Sequence, residues 1–456
     1  MELHLPGDLE IGVATAAWQV EGAVAERGPS IWDDFAAVPG AIRDGATGEP
    51  ACDHVHRLEE DLDLLAWLGV DAYRFSVSWP RVLPDGTGPV SAPGLGFYDR
   101  LVDGLLDRGI RPSATLYHWD LPSPLQRLGG WPERDTAERF ADYAEVVAQH
   151  LADRVDRWAT LNEPWCAAFL GHAAGTHAPG LRDPAAAFAS AYHLMLGHGL
   201  AVGRLRAVGA RQVGVVLNLI PVRAEDPSDP GCVAATRHVD AIQNRLFLDL
   251  LAGRGVPPDL LDSTAQICDW SFLRGTDTAT LAAPLDWLGE NYYTVMRVAA
   301  GGGDPDAVGQ GASAFPGGPV LRFVPRPPLT EMGWEIDPSG LGDVLRMAAA
   351  ALPGVPLWVT ENGTAAKDTP VVVDGVPTVP DVDRVDYYRQ HVAELLSARD
   401  GGVDVRGYFA WSLLDNMEWA EGWTKRFGIV RVEPGTLTRI PKDSAHWWRA
   451  LIAARG

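Results

Sequence analysis

Eight times along the 456-residue chain a strand-length apolar run comes after or before a stretch with helical periodicity, and that repetition narrows the fold before any residue has a role. The runs lie at 11–17, 70–78, 110–118, 155–162, 213–219, 285–293, 356–361 and 405–411. Between them the period changes. Phe97, Leu101 and Leu105 recur every four residues with Val102 and Leu106 beside them, as one face of a helix requires. The helical run at 59–68 stops at Gly69, a C-cap signal. Further helices are expected around 140–151, 186–207, 233–252, 339–351 and 383–399, with a closing helix at 444–455 and an irregular stretch at 255–284. Strands alternating with helices demand a parallel sheet with crossover connections. Eight such units point to closure into a (β/α)8 TIM barrel. A doubly wound open sheet is the runner-up, but no Gly-rich phosphate loop follows the first run. The expected architecture is therefore α/β, a single barrel domain over 1–456. Its extra length falls in long βα loops, 299–328 and 365–380, that wall the active-site face.

The strand ends carry the chemistry. Asn162-Glu163-Pro164 ends the fourth run and Thr360-Glu361-Asn362-Gly363 ends the seventh. Strand C-termini are where such barrels assemble their sites, and two carboxylates flanking a glycosidic bond are the apparatus of glycoside hydrolysis. The other ends present Gln19, Arg74, His118, Asn218, Asn291, Tyr293 and Trp411, with Glu418 and Trp419 a short loop beyond. Singly, each is as readily a cap or a satisfied buried polar group. Jointly they form a set able to hold the hydroxyls of one sugar ring. Alternation along 70–78 puts Tyr73, Phe75 and Val77 on one face and Arg74 on the other, so Arg74 points into the barrel.

Composition excludes several alternatives. Lys and Arg number 38 against 60 Asp and Glu, so the formal charge is 38 − 60 = −22, which repels nucleic-acid backbones and anionic lipid. No apolar run reaches ~18 residues and the N-terminus lacks a basic then apolar leader pattern, so no membrane span is expected. Cys52, Cys166, Cys232 and Cys268 show neither a CxxC pair nor metal-ligand spacing, and free thiols suit a reducing, cytoplasmic setting. A metal-dependent barrel hydrolase would need His and Asp clusters at strand ends, and none is present. Trp outnumbers the other aromatics, 17 against 12 Phe and 10 Tyr, and flat indole faces suit pyranose rings.

Six motifs in order resemble those of the family 1 glycoside hydrolases, the β-glucosidase family. They are Tyr73-Arg74-Phe75-Ser76-Val77-Ser78-Trp79-Pro80-Arg81, His118-Trp119-Asp120-Leu121-Pro122, Asn162-Glu163-Pro164, Gly333-Trp334-Glu335-Ile336, Thr360-Glu361-Asn362-Gly363 and Asp415-Asn416-Met417-Glu418-Trp419. The resemblance implies a retaining mechanism without a cofactor or metal, with Glu163 as general acid/base and Glu361 as nucleophile. Arg74 would keep Glu361 ionised and Tyr293 would hydrogen-bond it. The resemblance also implies that Gln19, His118, Trp119, Asn162, Asn291, Trp411, Glu418, Trp419 and Phe427 bind the substrate. Trp334 would stack on the aglycone, with His177 and Asn218 at the rim, and the Trp411–Ser412 peptide would be cis. The implied partner is a small β-glycoside or short oligosaccharide, and homo-oligomerisation is compatible with the sequence. Glu418 stands where phospho-sugar members carry a Ser and a basic residue, so its charge is expected to repel a 6-phosphoglycoside. Trp18, Trp423, Met417, His172 and Val55 depart from the family pattern in ways that bear on pocket shape. Cys166 reads as a small buried hydrophobe.

Overall fold

A computed structural model describes residues 3–302 and 311–455. Eight parallel strands close on themselves: β1 (Glu10–Ala14), β2 (Ala72–Ser76), β3 (Arg111–Tyr117), β4 (Arg157–Asn162), β5 (Val213–Leu217), β6 (Trp287–Tyr292), β7 (Leu357–Asn362) and β8 (Val405–Trp411). Their order round the barrel is their order in the chain. The ring is sealed by β1 against β8, from Glu10 opposite Gly407 to Ala14 opposite Trp411. Closure removes the open doubly wound sheet from consideration, and each expected run coincides with one strand.

The helices that return the chain are α1 (Leu58–Leu68), α2 (Ala92–Asp107), α3 (Arg134–Leu151), α4 (Pro184–Ala207), α5 (Pro230–Asp240), α6 (Ser339–Ala351), α7 (Val382–Asp400) and α8 (Asp443–Ala453). α5 runs on through a wide turn, Ala241–Arg245, into Leu246–Leu251. Local signals explain their limits. Ser91 caps α2 by accepting from the Gly94 amide at 3.1 Å, Asp183 caps α4 by accepting from Ala186, and Gly69 closes α1 at φ 75°, which suits glycine. By length and composition α4 could cross a bilayer, with a mean hydropathy of 1.2 that the sequence reading missed; 83% of that window is buried inside the protein. Its apolarity reflects a helix covered on most sides. The 255–284 segment, expected to be irregular, contains two short helices, Pro258–Thr264 and Thr278–Leu281, too brief to show a period.

Inside the barrel the alternation predicted for β2 holds. Ala72 joins Ala159, Val216, Trp287, Trp358 and Phe409 in a packed interior cluster, and Arg74, two residues on, points the same way toward the C-terminal end. Below this layer Glu10 accepts from Arg157 at 2.5 Å and from the Trp358 indole at 2.7 Å, while the Arg157 guanidinium lies 4.2 Å from the Trp358 ring. The bottom of the barrel is thus a rigid floor.

Of the two long loops, the first supplies Met296–Ala300 and Leu321–Phe323, which form a small sheet with Val222–Ala224; its residues 303–310 lie outside the described residues, as do residues 1, 2 and 456. The second carries a hairpin, Val371–Val373 with Val376–Thr378, that leaves Val372 exposed. The Trp411–Ser412 peptide is cis and non-prolyl.

Candidate active site

The carboxylates of Glu163 and Glu361 come together at the C-terminal mouth of the barrel, 6% and 3% exposed. Glu163 follows β4 with φ 46°, and Trp119 and Trp419 also have positive φ, 75° and 47°. Each costs about 1–2 kcal/mol for a residue with a Cβ, and such strain collects where a side chain must be aimed. In β7 the register against β6 shifts between Val359 and Glu361, a bulge that re-aims the end of the strand.

A buried network fixes the pair. Arg74, 1% exposed, donates from Nη1 to Glu361 Oε1 at 2.5 Å and from Nη2 to Asn162 Oδ1 at 2.6 Å. The Tyr293 hydroxyl donates to Glu361 Oε2 at 2.7 Å. Asn291 donates from Nδ2 to Glu163 Oε1 at 2.7 Å and to Asn162 Oδ1 at 3.0 Å; its own Oδ1 accepts from Thr360, which sets the amide's orientation.

Burial and then the negative charge of Glu361 push the Glu163 carboxyl up to about 7, with Asn291, Cys166 and Arg74 opposing. Burial raises Glu361 as well, but Arg74 and Tyr293 pull it back. Glu361 therefore ionises first and Glu163 holds the proton, which is the division that acid catalysis beside a nucleophile needs. Tyr293 keeps its phenolic proton, since burial and the two carboxylates raise it far above its ordinary range.

Among the described residues, the buried polar atoms without a hydrogen-bond partner include Gln19 Oε1, His118 Nδ1 and Glu418 Oε2. Gln19 is held from the other side, its Nε2 donating to Asn416 Oδ1 and to the Met417 carbonyl at 2.8 Å. Asn162 Oδ1 already accepts twice, so its Nδ2 donates to His118 Nε2 at 3.1 Å. That network assigns the His118 proton to Nδ1, and burial keeps the ring neutral. An unsatisfied buried polar group costs about 1–3 kcal/mol, a cost that ligand hydroxyls at these atoms would remove. His118 is sandwiched between Trp411 and Trp419, at ring distances of 5.9 and 5.8 Å. Trp419 in turn packs on Trp119 at 4.4 Å, Trp32 at 4.6 Å and Trp18 at 6.0 Å. The Trp18 departure thus buttresses Trp419.

These groups surround a cavity of about 1000 Å³ counted to its mouth. His118, Trp119, Glu163, Asn291, Tyr293, Glu361, Trp411, Glu418, Trp419 and Phe427 line it, as do the expected rim residues Trp334, His177 and Asn218. Gln19, Arg74 and Asn162 do not line it and act from beneath. Sequence reasoning missed Leu170, Thr176, Ile220, Thr294, Met332, Ala420 and Glu421 in the wall, all on the βα connections beyond the strand ends. Cys166 was placed too blandly: it lines the cavity and touches Glu163. Burial, Glu361 and Glu163 push the Glu418 carboxyl up to about 8, which weakens its anionic charge near neutrality and with it the expected repulsion of a phosphate. Among the described residues no Lys or Arg lines the cavity, and that lack of a counter-charge also disfavours a phosphate. Among the described residues no group of three or more His, Cys, Asp or Glu is arranged to hold a metal ion.

The model of glycosyl hydrolase family 1 matches residues 1–456. The chain is 47% identical to a bifunctional β-D-glucosidase/β-D-fucosidase of Bifidobacterium breve, covering 99% of both chains, and 46% identical to a thermostable β-glucosidase B of Thermobispora bispora, covering 100% of this chain and 92% of that one. Among solved structures, a psychrophilic β-glucosidase of Micrococcus antarcticus superimposes with a TM-score of 0.94 at 43% identity, over 100% of this chain and 98% of the other. A Thermotoga maritima β-glucosidase in complex with glucoimidazole superimposes with a TM-score of 0.91 at 40% identity, over 99% of each. With the barrel, the paired carboxylates and full-length similarity in agreement, this chain belongs to glycosyl hydrolase family 1.

Proposed function

We propose that the protein is an exo-acting β-glucosidase that removes terminal non-reducing β-D-glucosyl residues with retention of configuration and also accepts β-D-fucosides and β-D-galactosides. The observation that carries this reading is the asymmetry of the carboxylate pair, Glu361 bonded to Arg74 and Tyr293 and Glu163 beside it bonded only to neutral donors, with its carboxyl pushed up to about 7 by burial and by Glu361. In the first half-reaction a Glu361 oxygen bonds to the anomeric carbon as the bond to the leaving oxygen breaks, and Glu163 gives that oxygen its proton. The ester neutralises Glu361, which removes the charge that had raised Glu163. Glu163 then takes a proton from water, the water oxygen bonds to the anomeric carbon, and the ester bond breaks to restore the Glu361 carboxylate. His118, Glu418 and Phe427 contact the glycone beside Trp411 and Trp419, with Gln19 and Asn162 supporting from beneath, while Trp334 faces the aglycone.

The names of the B. breve relative and of the inhibitor-bound T. maritima structures support a β-glucoside over its phosphorylated counterpart. Four unpaired thiols fit a reducing cytoplasm. The barrel draws strands from both ends of the chain, which supports one domain throughout. The test is Glu361→Gly with azide and an activated aryl β-glucoside. Rescue with an α-glucosyl azide as product is expected, because azide then enters the face that Glu361 vacates; a β-azide would reverse the two roles.

A further inference from the structure

One thiol touches the reacting carboxyl group. Cys166 Sγ lies 3.1 Å from Glu163 Oε2 and donates to it, and Asn218 Nδ2 donates to the same sulfur at 3.4 Å. All three residues are buried. The Cys166 amide also bonds the Glu163 carbonyl at 3.0 Å, so the turn that opens the wide helix Cys166–Ala174 locks the thiol against the side chain three residues back. Asn218 is anchored from behind, because Gln243 Nε2 donates to its carbonyl at 2.8 Å and the next amide, Leu219, donates to buried Glu290 at 2.9 Å.

We infer that Asn218 and Cys166 form a positioning relay for Glu163, in which the thiol fixes the second carboxyl oxygen and favours the ionised form needed in the water-activating half-reaction. This rests on Glu163 being the acid/base. With Asn291 on Oε1 and Cys166 on Oε2, both oxygens are tethered and the plane of the carboxyl is set. The sulfur is suited to donate and not to attack: burial and the neighbouring Glu163, Glu361 and Glu418 raise the thiol far above its usual range, so the proton stays on sulfur. A donor held on a carboxylate lowers its pKa, and the Asn218 amide strengthens that donor by polarising it. The other charged or titratable groups facing Glu163 are Glu361 from β7, Glu418 from the loop after β8, Glu290 and Tyr293 from β6 and its end, and Arg74 from β2. His118 on the β3 end is neutral. Arg74 is the one cation in that set, and its guanidinium is bonded to Glu361, so the relay is a separate source of stabilisation for the Glu163 anion.

The experiment is the pH dependence of kcat/KM for the full-length enzyme carrying Cys166→Ala, Cys166→Ser or Asn218→Ala, with thermal midpoints to confirm folding. Cys166→Ala should move the alkaline limb up by about half to one pH unit, the size of one modest hydrogen bond to a carboxylate. It should also slow turnover of activated aryl glucosides several-fold, because their rate is set by the base-assisted step. Cys166→Ser should return the limb toward wild type, and Asn218→Ala should move it in the same direction by less. A Cys166→Ala limb that coincides with wild type would leave the thiol as packing only and overturn the relay. Glu163→Ala separates the two readings. If its losses are equal for poor and activated leaving groups, the acid assignment falls and the relay with it; if it discriminates while the Cys166→Ala limb stands still, the relay alone is refuted.

Discussion

Replacing Arg74 with Met would remove the cation bonded to Glu361 while keeping an unbranched side chain in the buried slot. The Nη1 to Oε1 distance of 2.5 Å places the charge centres about 4 Å apart, worth about 4 kcal/mol at an effective dielectric of about 20. That is roughly three pKa units on Glu361, and roughly two if water enters the space. Glu361 would then titrate at or above Glu163, so the reactive form, with Glu361 ionised and Glu163 protonated, becomes a minor species at every pH. kcat/KM should fall about 100- to 1000-fold, and the acid limb of its pH profile should rise by about two units. An aryl glucoside with an activated leaving group is the right substrate, because it needs little help from Glu163 and isolates the nucleophile. Stability offers a second reading. Stripping one partner from a buried pair costs about 3–5 kcal/mol. In the variant the folded pKa of Glu361 lies above its unfolded value of about 4.3, so the deficit is small below that pH and grows as pH rises through the folded value. Denaturant midpoints at two pH values should show that trend. If activity falls while the acid limb stays in place, Arg74 acts through shape alone and the electrostatic reasoning is wrong.

Tyr293→Phe removes the 2.7 Å bond to the other Glu361 oxygen and should cost about 10- to 100-fold in kcat/KM, with a smaller upward move of the same acid limb; an unmoved limb would deny the phenol its role. Glu418→Gln should leave a 6-phospho-β-glucoside inert, since no cation lines the cavity; turnover of that substrate by the variant would restore a role for carboxylate repulsion. Lys442 is fully buried, bonded to Asp415 at 2.7 Å and to Asp368, which Arg384 also holds, and the cluster ties the loop leading to Glu418 to the loop after β7. Lys442→Met should therefore destabilise the fold by about 3–5 kcal/mol in urea, and an unchanged midpoint would show the cluster to be energetically neutral.

The barrel was legible because its information is local. A strand buried on both faces must be an apolar run, a helix between strands must repeat near 3.6, and Gly69 marks where one passes to the other, so all eight strands and the inward aim of Arg74 could be read from spacing. The carboxylates were legible because each ends such a run. Elements set by tertiary contact were not. The short helices inside 255–284 lack a period, being too brief to show one. Cys166 is the small buried residue that the sequence suggests, but its bond to Glu163 has no signature in a string. Its contact depends on the left-handed turn at Glu163 and on an amide 52 residues away.

Glu418 shows most sharply where sequence stops and space begins. A Glu in the chain contributes −1 to a formal total of −22, and charge counting makes it a barrier to phosphate. In the folded protein Glu361, Glu163 and Glu421 all raise the half-buried Glu418, and water is largely excluded from Glu361 and Glu163. Three carboxylates sharing one small volume cannot all remain ionised, because each raises the proton affinity of the others. The proton distribution follows from which of them has a cation. Glu361 has Arg74 and Tyr293 and gives up its proton; Glu163 and Glu418 have only neutral donors or none and keep theirs. In the proposed mechanism the same placement that arms Glu361 as the nucleophile leaves Glu163 as the acid. It also leaves Glu418 with a raised carboxyl and an unpartnered oxygen, and it is the position of one guanidinium, not the number of acidic residues, that separates the three.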